Sequence, residues 1–467
     1  MLKKKLFYLI FLLCFSISYI SGAGTIQLPQ TGQTKCYDSS GNQIACEGTG
    51  QDGDIKAGVA WPSPRFINNG DGTVTDNLTG LMWTKNANLP NLGLGKTWQQ
   101  ALDYVASLNS SNYLGFSDWR LPNINELESL INADEPNSAI WLKNQFFMNV
   151  QWDRYWTSTT SADCGSCAWG LGIQDGKMSY FGKDALFYVW PVRAGQSGII
   201  QLPMTGQTMI YAAGDDGDLE KGVAWPNPRF SDNENGTVTD NLTGLMWVKS
   251  PDSTERSRSD AIAYCDSLTL AGHTDWRLPN RKELRSLVDY SKWGTAIIAG
   301  HPFTNVQSGS YDYYLSSSTY PDYWCNIWSV NFSIGNEDIW SVGYPGDVWP
   351  VRSVISAPTI VSLTTFKARQ KGKKVIVNWE TALEIDNEGF NILRASSVDG
   401  KYVKINDEMI RAKGNSLNGR EYQFKDNNIK AGKKYYYKIE DINTHGTITS
   451  HNPVEIQITG KNLKQKK

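Results

Sequence analysis

Two groupings of charged side chains have the composition of an acid–base or anion-clamping centre: Asp118, Arg120 and Glu126, and then Asp275, Arg277 and Glu283. Two carboxylates around a guanidinium can move a proton or grip an anion. Each grouping sits beside a Trp and a Leu-Pro, however, and neither has a His or Cys nucleophile next to it. Because buried charges must be paired, both sets are read as structural networks that fix a helix start. The chain has only four His (His273, His301, His445 and His451), and no two stand at metal-ligand spacing. That excludes zincin-type and His-triad chemistry, so no catalytic residue, metal or cofactor is expected. Asn69-Gly-Asp-Gly-Thr-Val-Thr-Asp76 has oxygen-rich spacing that would suit calcium. It lacks the EF-hand spacing and distal Glu, and in a second copy of the segment Asp71 becomes Asn235 while Gly72 stays as Gly236. Asp-Gly and Asn-Gly serve equally as hairpin turns, so a turn explains the exchange.

Aromatic loops offer the best place for a ligand. Trp152-Asp153-Arg154-Tyr155 and Asp322-Tyr323-Trp324-Cys325-Asn326 set rings beside polar groups. Sugar faces stack on rings while polar neighbours take the hydroxyls. Trp152, Asp153, Arg154, Asp322, Trp324 and Asn326 are the candidate ligand-binding residues. Most other Trp recur at matched places and read as core (Trp61/225, Trp83/247, Trp119/276, Trp190/349). Trp152 and Trp340 have no match and are expected at the surface.

The elements that hold these residues come from a duplication. T-G-Q-T occurs at 31–34 and 205–208, G-V-A-W-P at 58–62 and 222–226, and V-T-D-N-L-T-G-L-M-W at 74–83 and 238–247. D-W-R-L-P-N occurs at 118–123 and 275–280, and V-W-P-V-R at 189–193 and 348–352. Each copy is a domain-sized unit, placed at 25–198 and 199–355, far longer than a solenoid repeat. Short β segments precede a helix at Trp98–Leu108, matched by Asp260–Leu268. A second helix follows Leu-Pro, with Asn123 or Asn280 as N-cap and Glu126 or Glu283 in capping-box position. Strands at Tyr155–Thr160, Ala168–Ile173 and Trp324–Phe332 lead to V-W-P-V-R. The class is α+β.

Charge divides the 467 residues further. Residues 25–356 carry 22 Lys+Arg against 35 Asp+Glu, whereas residues 357–467 carry 20 against 12. An acidic body thus precedes a basic C-terminal unit, and a net charge of −2 gives no reason to expect nucleic-acid binding. Residues 1–23 read as an export signal, with Lys3 to Lys5, an apolar run from Leu6 to Ile20, and a cut before Gly24. No second stretch is apolar enough to span a membrane. Export leaves six cysteines in an oxidising compartment, where disulfides are the default. Cys36–Cys46 and Cys164–Cys167 are expected as local bridges. Cys265 aligns with Val105, and Cys325 with Cys167, so the remaining pair is expected to join helix to strand within the second copy.

D-W-R-L-P-N followed by Glu, then Y-W-T-S-T and V-W-P-V-R, resembles the Lcl C-terminal domain family, named for the terminal domain of a bacterial collagen-like adhesin. The resemblance covers both repeats. R-L-P…E and V-x-P-V-R are also similar, over shorter stretches, to formylglycine-generating enzymes and the wider C-type-lectin-like fold. That likeness implies two tandem lectin-like domains with a loop-rich ligand-binding half. The lectin calcium tripeptide has a counterpart in Glu135-Pro136-Asn137, but no W-N-D follows. The enzyme alternative needs a reactive cysteine pair, and none escapes the disulfide assignment. Residues 358–460 alternate as short strands around Trp379 and Tyr435-Tyr436-Tyr437-Lys438-Ile439, and resemble fibronectin type III β-sandwich modules. A basic tail, 461–467, follows. The reading is an exported, non-enzymatic binding or adhesion protein (extracellular, cell-surface or periplasmic) with glycans or matrix polymers as partners.

Overall fold

The computed structural model describes residues 25–90, 95–194, 198–321, 326–341, 343–353, 360–385, 387–398, 400–414, 419–443, 448–451 and 453–459. The expected export signal, the basic tail, and Asp322, Trp324 and Cys325 lie outside the described residues. The chain is β-rich with short helices. Among the described residues no helix is long and apolar enough to cross a membrane.

Each repeat body has the same plan. Strands Phe66–Asn68, Thr73–Asp76, Leu81–Thr84 and Val192–Ala194 form an antiparallel sheet, and Phe230–Asp232, Thr237–Asp240, Leu245–Val248 and Val351–Ser353 form its counterpart. The V-W-P-V-R segment thus returns to pair with L-M-W, Met82 opposite Arg193 and Met246 opposite Arg352. A second sheet takes Arg154–Thr160, Cys167–Gly172 and Met178–Gly182 in one body, and Tyr313–Thr319, Asn326–Asn331 and Asn336–Ser341 in the other. Seven helices are used below. They are α1 (Asp52–Ile55), α2 (Trp98–Ser110), α3 (Ile124–Glu128), α4 (Ser138–Lys143), α5 (Asp216–Leu219), α6 (Arg258–Ser267) and α7 (Arg281–Ser286). The expected capping boxes are both present. Asn123 and Asn280 accept from the amides of Glu126 and Glu283, whose side chains return to the cap amides.

The packing is offset from the sequence repeats. Residues 25–60 and 199–224 are arms wedged between the two bodies. Gln33 takes the backbone of Thr319 in the other repeat through two bonds of 2.6 and 2.8 Å, and Gln207 reaches the Thr160 carbonyl at 2.9 Å. Asn280 Nδ2 donates to the Ala57 carbonyl at 3.2 Å, and Asn123 Nδ2 to that of Lys221 at 3.0 Å. Thr25 and Ile26 donate to the carbonyls of Asn241 and Leu242, while Ile199 and Ile200 donate to those of Asn77 and Leu78. These arm contacts come in reciprocal pairs, so the two repeats are related by a pseudo-twofold. One cluster of buried side chains runs through both bodies. Across the seam Trp169 meets Tyr290 edge-on at 5.3 Å, and the Gly176 backbone closes on Trp328. A protein interior has to be close-packed, so neither body completes its own.

Residues 360–459 make a separate antiparallel sandwich. Ile360–Lys371, Lys374–Ile385 and Glu421–Asp426 form one sheet. Asn387–Ala395 and Lys434–Asn443 centre the other, with the short strands of 403–404, 410–411, Ile448–Ser450 and Val454–Gln457 at their flanks. Trp379 points into this core as expected, stacked on Tyr422 at 5.2 Å.

Candidate functional site

The charged groupings separate into two pairs per repeat. Arg120 grips both oxygens of Glu126, one bond measuring 2.6 Å, and Arg277 holds Glu283 at 2.5 and 2.7 Å. Asp118 is not part of this network. It binds Arg193 at 2.6 Å, and Asp275 binds Arg352 at 2.7 and 3.0 Å. The single triad expected in each copy is therefore corrected to a buried Arg–Glu clasp and a surface Asp–Arg link to V-W-P-V-R. The partner lies far along the chain and only the sheet brings it near. A third pair went unread: Arg65–Asp76 at 3.0 Å and its mate Arg229–Asp240 at 3.4 Å, all four buried. The recurrence of P-R-F and V-T-D in both copies was the available clue.

Two of the buried carboxylates in the arms, Asp52 and Asp216, join arm to body and carry no local motif that marks a site. In α1, Asp52 accepts from Thr31 of its own arm at 2.6 Å and from Ser318 of the other body at 2.5 Å. In α5, Asp216 accepts from Thr205 at 2.7 Å and Thr159 at 2.6 Å. Burial pushes Asp52 up to about 6 and Asp216 up to about 7, against the pull of the hydroxyls. These sites clamp arm to body. Further buried charges meet at the pseudo-twofold. Glu128 of α3 faces Arg281, Lys282 and Arg285 of α7. Burial raises the Glu128 carboxyl, but Arg285, Lys282 and Arg281 outweigh it and hold it at about 2. Burial brings Lys282 down to about 8. The small cavity beside them, about 40 Å³, has room only for water. Among the described residues no group of three His, Cys, Asp or Glu could hold a metal ion.

Cys36–Cys46 and Cys164–Cys167 are disulfides, as expected. The Cys265 expectation is corrected. Cys265 is a free thiol buried on α6 among Ala261, Leu278, Leu315, Ile327 and Val348. An apolar pocket satisfies it as a small hydrophobe. The Asn69–Asp76 segment is a hairpin turn: Asp71 Oδ1 accepts from Thr73 N and Oγ1, and Asn235 does the same for Thr237. Asn137 of the E-P-N tripeptide caps α4 by accepting from the Ile140 amide at 3.1 Å.

The aromatic loop of repeat 1 is the exposed feature built to present side chains. After α4 the chain is pinned at Phe147, edge-on to Trp190 at 5.0 Å and Phe66 at 5.2 Å. It is held again by Met148 N on the Lys85 carbonyl and by Gln151 N on the Tyr155 hydroxyl, both 2.8 Å. Around these anchors the side chains of Phe146, Met148 and Trp152 are 50%, 53% and 55% exposed, with Ile140 of α4 also open. Lys143 lies 5.6 Å over the Trp152 ring, while Arg154 lies over Phe181 instead. Asp153 Oδ1 accepts from the Arg154 amide at 2.7 Å. Phe146 adopts φ 75°, a strained conformation for a bulky residue. Repeat 2 provides an internal comparison. Phe303 repeats the Phe147 anchor, Asn305 shares φ 56° with Asn149, and Gln307 N binds the Tyr314 hydroxyl at 2.8 Å. Yet the residues equivalent to Phe146, Met148 and Trp152 are Pro302, Thr304 and Ser308. The scaffold does not need the exposed apolar side chains.

Of the other candidates, Asn326 is half-buried and opens a strand opposite Ser341, a structural place. Trp340 is half-buried and stacks on Tyr313 at 4.7 Å. Repeat 2 instead exposes Trp293, Tyr311 and Tyr344 on other loops.

No curated protein matches the chain. Solved structures resemble parts of it. A Fn3-like protein from Clostridium thermocellum is 19% identical with a TM-score of 0.16, over 23% of this chain and 99% of that one. Pectate lyase PelI from Erwinia chrysanthemi is 17% identical with a TM-score of 0.16, over 21% of this chain and 28% of the lyase. A beta-1,2-glucanase from Parabacteroides distasonis is 13% identical with a TM-score of 0.17, over 27% of this chain and 17% of the enzyme. The chain thus spans under a third of either enzyme, and similarities this weak say nothing of what it does. The family model described as the Lcl C-terminal domain matches residues 72–193 and 236–352, one segment in each body and together just over half of the chain, and the chain belongs to that family.

Proposed function

We propose that this is an exported, non-enzymatic binding protein that engages glycans or other extracellular polymers through the Phe146–Trp152 loop of repeat 1. The observation carrying this reading is the exposed Phe146, Met148 and Trp152 on a rigidly pinned loop, beside a second repeat that keeps the same anchors without them. Apolar side chains retained at the surface, one in a strained conformation, point to a contact rather than to stability. Two disulfides suit an oxidising compartment outside the cytoplasm. In this reading the repeats are lectin-like bodies, and the C-terminal sandwich is a fibronectin type III-like spacer.

The test is binding of the full mature chain to a glycan and polysaccharide panel, alongside W152A and F146A/M148A/W152A. Removing an aromatic anchor costs ~2 kcal/mol, so W152A should weaken binding roughly thirtyfold. Melting should be unchanged. Binding that survives the triple substitution but is lost on replacing Trp293 would move the site to repeat 2.

A further inference from the structure

Helices α3 and α7 occupy equivalent places and meet on the pseudo-twofold. Counted from the shared Asn caps, Asn125 matches Lys282, Glu128 matches Arg285, and Ile124 matches Arg281. The contacts obey the same symmetry. Lys282 Nζ reaches Glu128 at 3.1 and 3.2 Å, and the mate contact, Arg285 Nη2 to Asn125 Oδ1, is 3.1 Å. On the axis Glu128 meets its own equivalent, Arg285, at 3.1 Å. Arg281 approaches Glu128 at 2.8 Å and holds Glu337 with bonds of 2.6 and 2.7 Å. Glu128, Arg281, Lys282 and Glu337 are all buried.

We propose that these charges are a pairing code: they favour repeat 1 against repeat 2 over repeat 1 against repeat 1 or repeat 2 against repeat 2. Two repeats 1 joined the same way would set Glu128 against Glu128, with only Asn125 for company. Two repeats 2 would bury Arg281, Lys282 and Arg285 twice over against a pair of Glu337. Both leave buried charge uncompensated, which is strongly unfavourable. A wholly apolar seam would tolerate all three pairings, because a duplicated surface is nearly self-complementary. The fold accepts apolar side chains here. In strand register Met178 lies opposite Leu171 where Glu337 lies opposite Val330, so the repeat 1 counterparts of Arg281 and Glu337 are Ile124 and Met178. Replacing buried ion pairs by apolar groups of similar volume is often neutral for stability, so what the charges contribute is partner choice.

The test uses the full mature chain refolded from urea at rising concentration, with size measured by light scattering and melting followed in parallel. Wild type should return as a monomer. E128M/K282M/R285M, which leaves Arg281–Glu337 intact, should fold and melt near wild type. It should nevertheless form dimers at a fraction roughly tenfold higher, the factor carried by about 1.4 kcal/mol of lost discrimination. K282E/R285E, which turns two carboxylates on Glu128, should lose the monomer. A triple-Met chain that stays monomeric at every concentration overturns the proposal. So does one that no longer folds, since the charges would then be structural.

Discussion

Asp52 and Asp216 tie the acid chemistry of the chain to its packing. Each carboxylate accepts one hydroxyl from its arm and one from the opposite body, so it is the point where the halves lock. Folded values of about 6 and about 7 lie above the ordinary carboxylate value near 4. The folded state therefore binds more protons than the unfolded one between these limits. The stabilisation is complete below pH ~4 and is lost as pH rises through 6 and 7. We expect melting temperature to fall from pH 5 to 8, and D52N/D216N to flatten that slope by roughly 1–3 kcal/mol per site. An unchanged slope in the double variant would remove these carboxylates as its cause. Cys265 gives a second readout. Burial pushes its thiol well above the usual range, so thiol reagents should miss it in the native chain and label it on unfolding.

The arms depend on two small motifs, T-G-Q-T and D-G-D; Gly32 is required by its φ of 92° as well as by space, and Gly217 by space. A Cβ on Gly32 would sit 2.4 Å from Asn132 and 2.5 Å from Trp61. One on Gly217 would fall 2.0 Å from the Met209 carbonyl oxygen, a backbone atom that cannot swing away. G217A should lower stability by more than ~2 kcal/mol in a urea titration, while G343A, with nothing within 4 Å, should be nearly silent. Equal melting of the two would mean that α5 does not need its close approach. Helices and capping boxes were legible beforehand, because Asn-x-x-Glu satisfies its own amides within four residues. The partner of Asp118 was not, since Arg193 becomes its neighbour only when V-W-P-V-R closes the first sheet.

Interlocked arms make the two repeats one mechanical unit joined through residues 195–197. A protease site placed there should be cut without separating the halves. The nicked chain should elute as one species and come apart only in denaturant. Separation under native conditions would mean that each body folds alone. Among the described residues no such clasp ties 360–459 to the bodies, so cleavage between 354 and 359 should release a folded sandwich held by Trp379, Phe390 and Tyr422.

Local and repeated patterns in the sequence were enough to establish the duplication, the capped helices, the two short disulfides, the inward Trp379 and the family. Each depends on residues close in the chain or on a pattern present twice. The tertiary structure alone decided which half each arm serves, where Asp118 and Asp275 point, that Cys265 stays a thiol, and that Glu128 faces Arg285. Those outcomes are contacts between segments far apart in sequence. A duplicated chain leaves each of them two equivalent places to go, and only packing both bodies into one interior selects between them.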